Sequence, residues 1–211
     1  MTTPSTEQTD ADLLARWRAG DAVGGERLFT RHFARVERFF LNKVGPEHVG
    51  DLVQETFIAC VEGRDRIKED TRFRAYLMGV AHNVLCGFLR RKYAGPDVDV
   101  LEHSIAALSH SPSSILVKQE EQRMLLEALR ALSVRYQVVL ELYYWEGMQT
   151  DDIAEALQVP SSTARTWLRR ARHELEAELG KLSRSREKLE ATLTRLDDWA
   201  ASCGREIFGT S

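Results

Sequence analysis

The 211-residue chain lacks several things, and each absence excludes a class of protein. No apolar run approaches the roughly 20 residues that a membrane-crossing helix needs. The opening residues MTTPSTEQTD lack the basic-then-apolar pattern of a secretory leader, so a cytoplasmic protein without membrane insertion is expected. Cys60, Cys86 and Cys203 are odd in number and widely spaced, with no C-x-x-C, which fits reduced thiols and not a disulfide framework. There is no H-E-x-x-H and no His-Asp pair. His82 and Cys86 lie one helical turn apart but have no second ligand pair, so an all-α metal-dependent hydrolase is short of ligands. No catalytic residue, metal or cofactor is expected. Basic excess is missing too: 29 Lys and Arg against 32 Asp and Glu give a net charge of -3. Any affinity for nucleic acid must be local or borrowed from a partner.

What is present is helical periodicity. With 43% hydrophobic and 29% charged residues the chain can build one or two small cores, and strand-like alternation is almost absent, so an all-α protein is expected. Thr9 or Asp10 starts a short helix through Trp17, closed by Gly20. A second runs from Gly25 to Lys43 and offers Leu28, Phe29, Phe33, Val36 and Phe40 to a core. Gly45-Pro46 opens a third, Glu47 to Glu62, and a fourth spans Thr71 to Lys92. Residues 94–114 hold two prolines and many small polar residues and read as a flexible linker. A second helical domain follows from Ile115, with one helix to Leu132 and another capped by Ser133.

The stretch from Thr150 to Glu178 reads as helix, tight turn, helix. Thr150 is the expected N-cap, with Asp151 and Asp152 at the positive end of the dipole. Ile153, Ala154 and Leu157 form a short apolar stripe that stops at Gln158, and Pro160 suits the start of the next helix. From Ser161 onward Ala164, Leu168, Ala171 and Leu175 share one face, while Ser162, Arg165, Thr166, Arg169 and His173 share the other, flanked by Arg170 and Arg172. Such a helix can lie in a major groove: its N-terminus meets phosphate, hydroxyls hold the backbone and an Arg fork reaches guanine. An Arg-rich solvated surface is the plain alternative.

Two further surfaces stand out. On the third helix Val53, Phe57, Cys60 and Val61 share the expected core face, and Cys60 reads as a core thiol. Asp51, Glu55, Ile58 and Glu62 share the reverse, with Gln54 at the side. An isoleucine among carboxylates fits either a protein-contact surface or a solvated face. On the fourth helix Phe73, Leu77, Ala81, Val84 and Phe88 form the core stripe, while Tyr76, Asn83 and Arg90 recur every seven residues beside Gly79, Cys86 and Gly87. The aromatic can stack on a base, the amide can read its edge, and Arg90, Arg91 and Lys92 can hold phosphates; equally, Tyr76 can cover the core edge and Asn83 bond a neighbouring helix.

Taken together these stretches resemble the bacterial RNA polymerase sigma factors, specifically the compact extracytoplasmic-function (ECF) subgroup. DLVQETF resembles the motif that docks on core polymerase, FRAYLMGVAHNVLCGFLRRKY the helix that recognises and opens the -10 element, and the region from Leu126 to Leu175 the domain that reads the -35 element. The resemblance spans Asp10 to Leu179. It implies a non-enzymatic promoter-specificity subunit whose partners are core RNA polymerase and promoter DNA. Asp51, Gln54, Glu55, Phe57 and Ile58 would contact polymerase. Tyr76, Asn83, Arg90 and Arg91 would meet the melted strand, Asn83 holding a flipped base. Ser161, Ser162 and Thr163 would face phosphates, and Arg165, Thr166, Arg169 and Arg170 would read duplex. It divides the chain into an N-terminal sigma domain (10–93), the linker (94–114), a C-terminal domain (115–179) and an extension (180–211). In two places the chain departs from the family: Gln158 stands where a turn glycine is common, and Trp167 where an arginine is frequent.

The extension has no counterpart in the short family pattern. Leu175, Leu179, Leu182, Leu189, Leu193 and Leu196 continue a spacing of three and four, so the last helix is expected to run toward Cys203. Its apolar seam and Trp199 call for packing against the chain's own domains or against a partner such as an anti-sigma factor. The competing function is a stand-alone helix-turn-helix transcriptional regulator dimerised through this seam.

Overall fold

The computed structural model describes residues 8–64, 67, 73–93, 99–108, 119–182, 197–198 and 200–203. Among these residues the structure is helical, and strand-like pairing is limited to one isolated bridge between Ser104 and Ser133.

The first unit comprises α1 (Asp10–Arg18), α2 (Ala22–Leu41), α3 (Pro46–Glu62) and α4 (Phe73–Tyr93). Thr9 opens α1 with a reciprocal cap: its hydroxyl accepts the Asp12 N–H at 3.2 Å, and the Asp12 carboxylate accepts the Thr9 N–H at 2.9 Å. The Asp21 carboxylate caps α2 by accepting the Val23 N–H at 2.9 Å, and Pro46 sits in the first turn of α3. Leu13, Leu14, Leu28, Phe40, Leu52, Phe73, Leu77 and Leu85 fill the core between these helices. Two expectations fail here. Phe33 is 49% exposed and Val61 52% exposed. The buried stripe of α3 runs Val49, Leu52, Val53, Thr56, Cys60, and Val61 lies about 100° round from Cys60, outside it.

The second unit comprises α6 (Glu120–Ala131), α7 (Val134–Tyr144), α8 (Thr150–Ala156) and α9 (Ser161–Leu182), preceded by a short α5 (Ile105–Leu108). Residues 115–118, where the first helix of this unit was expected to begin, lie outside the described residues, as do 183–196 and Trp199 of the leucine seam. Ser133 caps α7 as expected, at 3.4 Å from the Tyr136 N–H. Thr150 is not the cap of α8. Its backbone is already helical, Gln149 is the extended residue before it, and the Gln149 carbonyl accepts the Ile153 N–H at 3.0 Å with no side-chain cap.

Within 94–114 the middle is packed. Val100 and Ile105 are fully buried, Asp99 caps a 3-10 turn at Val100–Glu102, and the His103 carbonyl accepts the Val134 N–H at 2.8 Å.

The two units meet face to face. Lys43, just after α2, is enclosed against Glu141 of α7; its ammonium also donates to the Phe39 carbonyl at 2.6 Å, and Gln137 donates to Glu141 at 2.9 Å. Burial pushes Lys43 down and Glu141 up, and their mutual attraction opposes both shifts. Glu146, buried at the end of α7, pairs with Arg35 and lies 3.9 Å from Arg38. The Asn42 carbonyl accepts from Arg130 at 3.1 Å. Gly79 of α4 packs under Ala156 of α8, where a Cβ would lie 2.6 Å from the Ala156 carbonyl oxygen, so only glycine allows this approach.

Candidate functional site

The helix-turn-helix is built by α8 and α9. Gln158 holds φ +55° in the connecting turn, the left-handed conformation for which glycine is cheapest, and the turn closes through the Val159 N–H on the Ala154 carbonyl at 2.9 Å. Ala164, Leu168, Ala171, Leu175 and Leu179 anchor α9 in the core. That leaves Ser162, Arg165, Arg169 and Arg170 exposed, with Ser161, Thr163 and Thr166 half-buried beside them. The structure thus brings the expected readers onto one solvent-facing surface. Arg165 is 4.0 Å from Asp151 with both side chains exposed, a contact too screened to hold the guanidinium back. The Thr166 hydroxyl donates to the Ser162 carbonyl at 2.9 Å. Arg172, expected at the flank, is engaged elsewhere: it donates to the Tyr144 hydroxyl at 3.0 Å and pairs with Asp197 at 2.5 Å.

On α4, Asn83, Arg90 and Arg91 are exposed and Tyr76 is half-buried. The Tyr76 hydroxyl occupies the space above Gly63, where a Cβ would meet it at 2.1 Å, so this ring also seals the end of α3. Tyr76, Gly79, Asn83, Gly87 and Arg91 line one wall of a cleft of about 710 Å³; Glu155, Ala156 and Gln158 of the second unit form the other. Arg91 lies 3.5 Å from Glu55, whereas Arg90 is not part of the lining. Behind this face the Cys86 sulfur and the His82 Nε2 are 3.5 Å apart. Burial pushes His82 down to about 4 and Cys86 up to about 11, so near neutral pH they are an uncharged pair.

On α3, Asp51, Gln54, Glu55 and Ile58 are exposed, Ile58 at 50%. Phe57 is half-buried and stacks parallel on Phe33 at 6.2 Å between ring centroids. Phe29, Phe33, Phe57, Ile58 and Val61 line an apolar groove of about 580 Å³ rimmed by Gln54 and Glu62. Phe33 and Val61, expected in the core, line this groove instead: α2 and α3 carry more apolar residues than one stripe per helix can bury.

The description "Sigma-70 region 2" matches residues 28–94, and "Sigma-70, region 4" matches residues 122–175. Together they cover more than half of the chain; the first takes in α2 from Leu28 with α3 and α4, and the second runs from Gln122 of α6 to Leu175 of α9. The chain belongs to the sigma-70 family. It is similar to the ECF RNA polymerase sigma-E factor of Salmonella typhimurium, 25% identical over 189 residues, covering 85% of this chain and 99% of the relative. The ECF RNA polymerase sigma-E factor of Escherichia coli K12 matches to the same extent, and that of Haemophilus influenzae is 24% identical over 177 residues, covering 80% of this chain and 94% of the relative. Among solved structures, CnrH in complex with the cytosolic domain of CnrY superposes with a TM-score of 0.59 at 25% identity, covering 82% of this chain and 99% of that one. As an ECF-type sigma factor the chain binds core RNA polymerase and directs it to promoters.

Trp167, which stands where the resemblance led to the expectation of an arginine, has a local packing role. The Arg135 guanidinium lies 4.7 Å above its ring, held in turn by Glu102 and, at 3.5 Å, by Asp99. The tryptophan ties α9 to α7 and to the packed part of the linker. The extension has a docking place on the same unit: the Trp145 indole donates to the Ala200 carbonyl at 3.2 Å, the Tyr144 hydroxyl donates to Asp197 at 2.5 Å, and Ala200 and Cys203 are buried. Among the described residues, no helix is long and apolar enough to cross a membrane.

Proposed function

We propose that this sigma factor divides promoter recognition between its units, residues 10–93 and 115–179, and acts in the cytoplasm where polymerase is found. Asp51, Gln54, Glu55, Phe57 and Ile58 dock on core polymerase, the carboxylates steering and the apolar groove supplying desolvation energy. Tyr76 and Asn83 hold unstacked bases of the melted strand, and Arg90 and Arg91 hold its phosphates. Ser161, Ser162 and Thr163 meet the phosphates of the upstream duplex at the start of α9, while Arg165, Thr166, Arg169 and Arg170 read its base edges.

The observation that carries this reading is that Asp51, Gln54, Glu55 and Ile58 on α3, Asn83, Arg90 and Arg91 on α4, and Ser162, Arg165, Arg169 and Arg170 on α9 are exposed, while other residues of the same helices build the cores. No covalent chemistry is involved. Binding energy offsets base unstacking, a few kcal/mol per flipped base. The acidic balance of the chain agrees with a factor that leaves most non-specific DNA affinity to polymerase. Control by a second protein, an anti-sigma factor, belongs to the same proposal, since the similar CnrH is seen in complex with the cytosolic domain of CnrY.

A gel shift on promoter duplex with and without core enzyme tests this reading against a stand-alone regulator. The expected result is sequence-specific retention only when core enzyme is present. Tight palindrome binding by the chain alone would favour the regulator.

A further inference from the structure

Arg172 and the extension stand outside the contacts proposed above. Each residue of α9 turns about 100°, so Arg172, seven residues on from Arg165, returns to within about 20° of it and lies about 10 Å further along the axis. It extends the row of Arg165 and Arg169 toward the C-terminal half of the helix, the part placed to meet backbone when such a helix leaves a major groove. Its guanidinium, however, is turned onto α7. It lies 5.1 Å from the ring centroid of Tyr143 and 5.7 Å from that of Tyr144, and its Nε donates to the Tyr144 hydroxyl at 3.0 Å. Both groups then converge on one anion: the Tyr144 hydroxyl donates to Asp197 Oδ1 at 2.5 Å, and Arg172 Nη2 donates to Oδ2 at 2.5 Å. The donors come from α7 and α9, but the anion is brought by a separate segment, fixed through Ala200, which is buried and accepts the Trp145 indole N–H at 3.2 Å.

We infer that the Tyr144 hydroxyl and the Arg172 guanidinium form a phosphate site for the upstream duplex, and that Asp197 fills it in the free chain as a stand-in for phosphate. The inference rests on the reading of α9 as the duplex-reading helix. A carboxylate and a phosphate each offer paired oxygens to a guanidinium fork, so one replaces the other with little movement of the donors. The site is open to exchange. The Arg172 and Asp197 side chains are 32% and 56% exposed, so their pair is screened and weak. A duplex presents a far denser row of negative charge than one carboxylate. The extension thereby sets a threshold on upstream binding: only a duplex held close by the other contacts of α9 displaces Asp197.

The test uses core enzyme saturated with the full chain and a fluorescein-labelled duplex carrying a promoter mapped by transcription-start sequencing, with anisotropy read at several salt concentrations. Asp197→Asn should bind about two- to fivefold more tightly than the parent, the range that loss of a competing exposed ion pair allows. Arg172→Ala should bind more weakly and flatten the dependence of log affinity on log salt by about one, because one phosphate contact is gone, and Arg172→Lys should restore that slope. Asp197→Asn should add nothing once Arg172 is alanine. A merely structural brace between α7 and α9 would move affinity or thermal stability and leave the salt slope alone. An unchanged slope in Arg172→Ala, or one that lysine fails to restore, would overturn the phosphate site. Asp197→Asn binding no more tightly than the parent would overturn the stand-in. Arg165→Ala with Arg169→Ala separates these failures from failure of the underlying reading. If that chain loses the duplex while the Arg172 and Asp197 variants match the parent, α9 still reads DNA and only this inference falls. If it too matches the parent, the reading of α9 falls and takes this inference with it.

Discussion

The ammonium of Lys43, which follows α2, is enclosed with the carboxylate of Glu141 on α7, 98 residues away in the chain. Their pairing makes the two units depend on each other. Taking one partner away leaves an uncompensated charge, at a cost of about 3–5 kcal/mol, whereas replacing both with apolar residues of similar volume is often neutral. Lys43→Met alone is therefore expected to loosen the units, and Lys43→Met with Glu141→Leu to restore compactness. Small-angle scattering checks this: a larger radius of gyration in the single variant and a parent-like one in the double.

The groove around Ile58 gives a prediction about polymerase. Burying an isoleucine stabilises a complex by roughly 1.5–3 kcal/mol, and a lysine there would lose this. Ile58→Lys should weaken association with core enzyme by about tenfold or more while leaving the thermal melt unchanged, since the side chain is half in solvent already. Co-elution with core polymerase at graded concentration measures it.

Much of this was legible in the sequence. The eight longer helices among the described residues, the core stripe of α9 and the capping of α1 and α7 follow from local periodicity and cap chemistry, which require no knowledge of distant contacts; the short α5 and the 3-10 turn at Val100–Glu102, inside the stretch read as a flexible linker, do not. Gln158 announced a strained turn, and φ +55° is what the turn holds. What could not be read was anything set by the meeting of the two units. Lys43 looks like an ordinary helix-end cation and Glu141 like a solvated carboxylate until α7 closes on α2. Phe33 and Val61 failed for the opposite reason: they are apolar, but none of the described helices covers them. Tyr76 covers the core edge, one of its two expected roles, by sealing Gly63, and it also lines the cleft.

Docking of the extension makes Cys203 a built-in reporter. All three cysteines are free and buried. Burial pushes the Cys60 thiol up to about 12, so alkylation should be slow throughout the native chain. Asp197→Ala or Tyr144→Phe, which remove the 2.5 Å bond between extension and α7, should speed modification of Cys203 without affecting Cys60 or Cys86. Pulsed alkylation with mass-spectrometric mapping reads the three sites separately.

Acid stability should carry the mark of Asp10. Hydrogen bonding to His32, reinforced by Arg31, holds its carboxyl at about 2, against an ordinary 3.8. A depressed carboxylate pKa stabilises the fold above the unfolded value, and that contribution disappears as pH falls through the folded one. Asp10→Asn is expected to lower the urea midpoint at neutral pH, with the difference from the parent shrinking below about pH 4 and gone near pH 2. Urea titrations across that range check the sign.

Permanganate footprinting of a promoter mapped by transcription-start sequencing, with core enzyme present, tests the division of labour most directly. The parent chain should expose unpaired thymines around the start-proximal element. Asn83→Ala should hold the upstream duplex yet leave that element closed, and Arg165→Ala with Arg169→Ala should lose the upstream contact itself. Equal opening by all of these chains would contradict the account.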